Sequence, residues 1–293
     1  MDVPGLPLSP DSSPARGGGS TVSRFRDFDP RISVIVTTYN RVDALGLVLQ
    51  SLTGQSDGSF EVIVADDGSR EETGAFVRDF ARRCPVPLSH VWQPDEGFHA
   101  GGVRNLASQG ASGDYLVYLD GDCVVQSDFV ARHRALSEPG QVVTGSRILL
   151  GEALTQTLLQ RGIWDESELR RHAWQYRRSG QMNKVLPLFV KLPDIRLRYY
   201  KGFVWRRIKA CNLACWKADA AAIGGFGEDM EGGWGHEDAD FVFRLHLHGV
   251  RRKSGAWATE ALHLWHRMAS REHTEPNRRR LQAKIDAWGA APG

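Results

Sequence analysis

The chain has 293 residues, 41% of them hydrophobic and 25% charged, with a formal net charge of +2. That length holds one large domain or two small ones, and the composition is ordinary for a globular enzyme. The near-balanced charge gives no reason to expect nucleic acid as a partner. No run is long and apolar enough to span a bilayer, so the chain is expected to be soluble or peripheral, with the cytoplasm as its default compartment. Cys84, Cys123, Cys211 and Cys215 form no C-x-x-C pair. Each is read as a small buried apolar residue in a reducing environment.

Residues 1–30 are rich in Pro, Gly, Ser and Asp and lack the apolar core of a signal peptide, so they read as a disordered tail. Residues 32–37, rich in β-branched side chains, predict a buried first strand. Asn40 is an expected N-cap for a helix carrying Val42, Leu45, Val48, Leu49 and Leu52 at helical spacing. Residues 60–65 predict a second strand ending in Asp66-Asp67-Gly68-Ser69, where Asp67 or Ser69 would cap a helix over 71–83. A third strand is expected over 88–92, a helix over 101–108, and a fourth strand over 115–119. Strands alternating with helices predict a doubly wound α/β fold with a mostly parallel sheet. In such sheets ligands sit beyond the carboxyl ends of the strands. Thr37-Thr38-Tyr39, Asp66-Asp67 and Asp120-Gly121-Asp122 all fall there. Beyond them, strands are expected over 141–149, 209–216 and 258–264, and helices over 152–180, 237–248 and 270–288. We read residues 31–293 as one domain. Its first half is 31–125 and its second half is 126–268, with a helical insertion at about 151–208 and a closing helix from 269.

Asp120 and Asp122 flank a glycine at the end of an apolar run, a pattern that can grip Mg2+ or Mn2+ through carboxylate oxygens or simply make a solvated turn. Asp66 and Asp67 offer acceptors to a nucleoside as well as a cap, and Thr37 and Tyr39 could contact the same nucleoside. Arg104 could reach a phosphate or be a surface cation. His263 and His266 flank Trp265 near a strand end; either could complete the cation site, or one could simply pack. Trp234 stands among Gly232, Gly233 and Gly235, where its face could hold a sugar or be buried in the core. Glu237 and Asp238 then begin a helix, whose dipole favours the anionic form of a general base. A cation site plus a base suggests metal-assisted group transfer from a phosphorylated donor.

In this order the clusters resemble the family 2 glycosyltransferases of the GT-A fold, from Arg31 to about Asn277. The strand at 32–37 with Tyr39-Asn40-Arg41 is similar to that family's nucleotide-binding opening, which gives Thr37, Tyr39 and Arg41 nucleotide-sugar contacts. Asp66-Asp67-Gly68-Ser69 resembles its uridine-contacting loop, with Asp67 the base contact. Gly97, Arg104 and Asn105 resemble its G-x-x-x-A-R-N stretch, although Gly101-Gly102-Val103 alters the spacing. Asp120-Gly121-Asp122 resembles the D-x-D motif: Asp122 would ligate the metal, and Asp120 and Gly121 would contact the nucleotide sugar. Asn212, Gly224-Gly225-Phe226 and Gly233-Trp234-Gly235-His236-Glu237-Asp238 are similar to the acceptor side of β-1,4-galactosyltransferases and chondroitin-polymerase-like enzymes. The resemblance implies Asp238 as the catalytic base and Asn212, Trp234 and Glu237 as acceptor contacts, with His236 in place of a common glycine. It implies His266 as a late metal ligand, favoured over His263.

The implied reaction is inverting transfer of a hexose or N-acetylhexosamine from a UDP-sugar to a hydroxyl of a glycan, glycolipid or small molecule, with Mn2+ or Mg2+ as cofactor. A sugar nucleotidyltransferase is the competing enzyme reading, but its early basic glycine-rich loop is absent; a catalytically dead nucleotide-sugar-binding module is the other. Arg196, Arg198, Lys201, Arg206, Arg207 and Lys209 stand among Tyr199, Tyr200, Phe203 and Trp205. That stretch could rest on an anionic membrane and so suit a lipid-linked acceptor. The preferred reading is a solvated insertion whose aromatics pack on the core.

Overall fold

The computed structural model describes residues 29–200, 208, 211–227, 235–267 and 274–289. In the first half, β1 (Ile32–Thr38), α1 (Val42–Thr53), β2 (Phe60–Asp66), α2 (Glu71–Ala81), β3 (Leu88–Trp92), α3 (Ala100–Gly110) and β4 (Tyr115–Asp120) alternate as the hydrophobic pattern predicts. All of β1 and β2 is buried except Thr37 and Glu61, as befits central strands covered on both faces. Helix α1 buries Leu45, Leu47, Val48, Leu49 and Leu52 against one face of the sheet, and α3 sets Val103 and Ala107 against the other.

The second half consists of β5 (Cys123–Val125), α4 (Phe129–Leu136), β6 (Gln141–Thr144), β7 (Arg147–Leu149), α5 (Glu152–Arg161), α6 (Glu166–Arg178), the single turn α7 (Leu186–Phe189), β8 (Asn212–Trp216), α8 (Lys217–Ala222), α9 (Glu237–Leu247), β9 (Arg251–Ser254), β10 (Ala261–His263) and α10 (Thr274–Gly289). The main sheet has the order β3-β2-β1-β4-β8-β6-β9. Strands β3, β2, β1 and β4 run parallel, β8 is antiparallel to both of its neighbours, and β9 is parallel to β6. A second sheet of order β5-β10-β7 leans on the same core. Thr38 stands opposite Asp66, Thr37 opposite Asp120, and Leu119 opposite Asn212, so the polar strand ends form one continuous rim.

Several local expectations are corrected. Asn40 does not cap α1: it lies at φ 49°, and its side-chain oxygen accepts from the Arg70 amide. The N-cap of α2 is Arg70 rather than Asp67 or Ser69, because the Asp66 carboxylate takes the Ser69 amide and closes the turn. The strand expected over 141–149 is two strands in different sheets, and the helix expected over 152–180 breaks at Gly162, whose φ is 61°. Among the described residues no helix is long and apolar enough to cross a membrane.

In the basic stretch, Arg198 is buried and donates to the carbonyls of Leu192, Pro193, Ser254 and Ala256. The Tyr199 hydroxyl bonds Glu138, and the Tyr200 ring lies under Arg252. Arg198 thus packs inward, Tyr199 and Tyr200 are half-buried, and Arg196 is exposed. Lys201, Phe203, Trp205, Arg206, Arg207 and Lys209 lie outside the described residues.

Candidate active site

The rim begins with Asp66, which is fully buried. Its Oδ1 accepts from the Ser69 amide at 2.8 Å, and its Oδ2 lies 3.0 Å from His90 Nε2. Asp67 Oδ1 accepts from Gln93 Nε2 at 2.6 Å and its Oδ2 from the His99 amide at 3.0 Å, while burial raises its pKa. The two aspartates therefore shape the loop as much as they offer acceptors. Tyr39 stands half exposed above them, with its hydroxyl 2.9 Å from Asp95 Oδ2. Arg41 pairs with Asp43 and lines an open cleft of about 430 Å³ with Gln156, Gln160, Trp265, His266 and Arg267.

At the turn after β4, Gly121 donates its amide to the Thr37 carbonyl at 2.7 Å. A Cβ there would meet that same oxygen at 2.8 Å, so the D-x-D centre must be glycine for the turn to fold back over β1. The turn presents Asp122 to two histidines: His266 Nε2 lies 3.3 Å and His263 Nε2 3.7 Å from Asp122 Oδ2. One ligand atom from each of the three falls within 4.8 Å of the others. Burial lowers the His263 pKa, with Arg147 and His266 adding to the effect against Asp122, a direction that favours the neutral imidazole a metal ligand needs. One carboxylate and two imidazoles fit a borderline cation such as Mn2+ better than Mg2+. Both histidines named from sequence therefore meet Asp122.

Next along the rim is the buried guanidinium of Arg104. Its Nε donates to Thr37 Oγ1 at 3.0 Å, Nη2 to Asp120 Oδ1 at 3.0 Å and Nη1 to Glu237 Oε1 at 3.4 Å. Arg104, expected at a phosphate, is enclosed here, with its guanidinium turned to Thr37, Asp120 and Glu237. Burial pushes Asp120 up to about 6 against the pull of Arg104, and nearby Asp122 and Asp238 push the same way. Burial pushes Glu237 up to about 7, with Asp238 and Asp120 adding to the rise against Arg104. Glu237 Oε2 is buried and has no hydrogen-bond partner. Glu237 and Asp238 open α9 directly after His236, which sits at φ 75°, and Asp238 is half-buried.

Asn212, expected as an acceptor contact, is completely buried, and its amide bonds His133, Thr259 and Ser146, so it braces the two sheets. Trp234 lies outside the described residues. Sequence reasoning overlooked Asp95, Gln93 and His99 around the Asp66-Asp67 loop, and Arg147 beside His263. No motif marks the first three; they become visible only when β3 and the loop after it fold over Asp67.

Residues 33–194 match the family described as Glycosyl transferase family 2, and residues 193–267 match the one described as N-terminal domain of galactosyltransferase. The chain belongs to glycosyl transferase family 2. Validoxylamine A glucosyltransferase of Streptomyces hygroscopicus subsp. jinggangensis is 32% identical over 251 residues, 80% of this chain and 56% of that protein. Chondroitin synthase of Escherichia coli is 28% identical over 244 residues, 78% of this chain and 34% of the synthase. The chain thus spans about half of the first relative and a third of the second. Among solved structures, the mannosyltransferase PcManGT from Pyrobaculum calidifontis, in complex with GDP-Man and Mn2+, superposes with a TM-score of 0.61 at 19% identity, covering 90% of this chain and 66% of that one. Residues 1–349 of S. aureus TarS with UDP-GlcNAc superpose at 0.56 and 19% identity, covering 87% and 66%. At such identities the likeness establishes the fold, a GT-A arrangement with a mostly parallel sheet.

Proposed function

We propose that the chain is an inverting, metal-dependent transferase that moves a hexose or N-acetylhexosamine from a UDP-sugar to a hydroxyl of a glycan, glycolipid or small-molecule acceptor. The observation that carries this reading is the Arg104 guanidinium, which holds Asp120 on one side and Glu237 on the other. It brings the start of α9, with Asp238, to within one side chain's span of the turn that carries Asp122. This linkage supports a base and a cation site that face one another across the rim.

In this reading Asp238 removes the proton from the acceptor hydroxyl, and the oxygen attacks the anomeric carbon from the face opposite the diphosphate. Glu237 Oε2, buried without a partner, accepts a hydrogen bond from the acceptor. Asp122, His263 and His266 would hold Mn2+, which when bound neutralises charge on the departing diphosphate. Asp67 contacts the nucleoside base, and the fully buried Asp66 shapes the loop that presents it. Uridine is preferred on the resemblance of their loop, and the nucleotide sugars named with the solved neighbours support a donor of this class.

A screen of UDP-, GDP- and dTDP-sugars for Mn2+-dependent hydrolysis and transfer tests the reading. Turnover of UDP-sugars is expected, together with a loss of transfer of about 10²- to 10⁴-fold in Asp238→Asn. Turnover confined to GDP-sugars would overturn the donor assignment, and full transfer by Asp238→Asn would overturn the base.

A further inference from the structure

We propose that Arg147 and Lys184 form an anion site on the acceptor side of the reaction centre, so that the acceptor carries a carboxylate or phosphate group. The proposal rests on the transferase reading above and adds the acceptor's chemical class.

In the small sheet Leu149 stands opposite His263 and Arg147 opposite Ala261. Residues two apart on a strand share a face, so Arg147 stands on the same face as the imidazole of His263, one pleat away. The Arg147 guanidinium is half-buried. Its side-chain contact is a soft one, Nη1 to Cys211 Sγ at 3.9 Å. Among the described residues no carboxylate lies within ion-pair distance of it. Lys184 lies alongside: its Nζ donates to Ser146 Oγ at 2.7 Å and stays 3.9 Å from Glu260 Oε1. The second Glu260 oxygen is buried with no partner, as is the ammonium of Lys191, which is within electrostatic reach of the same glutamate. Glu260 faces Lys184 and, together with Asp128, Lys191, so the cation left without an acid among the described residues is Arg147, and burying it is unfavourable unless a ligand supplies the opposite charge.

The order of strands says which ligand. Along the rim, Asp66 ends β2, Thr37 lies near the end of β1, Asp120 ends β4, Cys211 precedes β8, and Ser146 follows β6. In the transferase reading the nucleoside would occupy the Asp66 end and the diphosphate would lie at the Asp122 turn. Continuing in the same direction, the positions over β8 and β6 belong to the sugar and its acceptor, and Arg147 and Lys184 stand there. A guanidinium forks onto a carboxylate or a phosphate equally well, so the two anions share one recognition chemistry.

The test is calorimetric binding of methyl β-glucuronide, methyl β-glucoside 6-phosphate and neutral methyl β-glucoside to the full chain in the presence of UDP and Mn2+. An acidic glycoside is expected to bind about tenfold more tightly than the neutral one. The preference should vanish in Arg147→Gln and in Lys184→Gln, two variants that guard against misfolding of either, and should largely survive in Arg147→Lys. The tighter of the two acids identifies the group. Equal binding of acidic and neutral glycosides overturns the proposal. So does an Arg147→Gln variant that weakens UDP but not the acidic glycoside, because the cations then serve the leaving diphosphate. Donor hydrolysis is measured separately: acid preference without hydrolysis of any donor would remove the transferase reading and leave the anion site standing.

Discussion

Arg104 carries the connection between the two halves of the cleft. Its guanidinium satisfies Thr37, Asp120 and Glu237 and lies 5.3 Å from the Phe226 ring centroid. The next residue, Asn105, takes the Phe226 amide and donates to the Phe226 carbonyl, so one turn of α3 fixes both the acid pair and the loop before the acceptor side. Arg104→Gln keeps some hydrogen bonding but deletes the charge that Asp120 and Glu237 share. Removing one partner from a buried ion pair typically costs about 3 to 5 kcal/mol. Here the orphaned acids can escape by taking up protons, since Asp120 and Glu237 already sit near 6 and 7. The loss should therefore be smaller at pH 6 than at pH 8. Urea unfolding of wild type and variant at both pH values measures it; a pH-independent difference would mean that Arg104 acts by packing alone.

Among the elements, α9 depends on how the chain enters it. His236 adopts φ 75° where many residues are strained, and the resemblance to galactosyltransferases puts glycine there. His236→Gly should leave the urea midpoint unchanged or raise it. His236→Val, β-branched in a left-handed position, should lower stability by about 1 to 3 kcal/mol and lower kcat by turning Asp238 away from the cleft. A valine variant with wild-type stability would show that the entry is not strained. The same dependence on neighbours explains what the sequence hides. The first four strands are legible because runs such as Ile32-Ser33-Val34-Ile35-Val36 have no other use. The break between β6 and β7 is not, because it is set by a contact from elsewhere: a Cβ at Gly145 would lie 2.2 Å from the Asn212 side chain. Strand β9 reads as surface, Arg-Arg-Lys-Ser, yet Arg252 and Lys253 are buried. Thr144 Oγ1 receives Arg252, while Asp194, Glu138 and the Leu136 carbonyl receive Lys253. In the site, Asp122, His263 and His266 were legible as metal-type residues with an order. The enclosure of Arg104 and Asn212 was not, since burial is decided by the packing of α3 and by the junction of two sheets.

At the scale of the whole molecule that junction sets the response to acid. Asn212 in β8 bonds Ser146 and Thr259, which flank β7 and β10, and its Oδ1 accepts from His133 Nε2 on α4 at 3.1 Å. His133 is completely buried, its Nδ1 has no partner, and burial pushes its pKa from 6.5 down to about 4. Above pH 6.5 the ring is neutral in both the folded and the unfolded chain, so it adds no pH dependence. As the pH falls from 6.5 towards 4, the unfolded chain takes up a proton that the folded chain refuses, and the fold weakens by about 1.4 kcal/mol per unit. The total is about 3 kcal/mol, and below pH 4 this contribution levels off because both states are protonated. His133→Leu removes the titration but leaves the Asn212 oxygen unpaired, which costs about 1 to 3 kcal/mol at pH 7.5. The variant is therefore expected to be less stable at neutral pH and to have a flatter stability profile between pH 6.5 and 4. Urea midpoints across that range read the slope directly. If wild type and His133→Leu lose stability in parallel, the acid sensitivity belongs to other groups and the buried histidine at the junction is not its source.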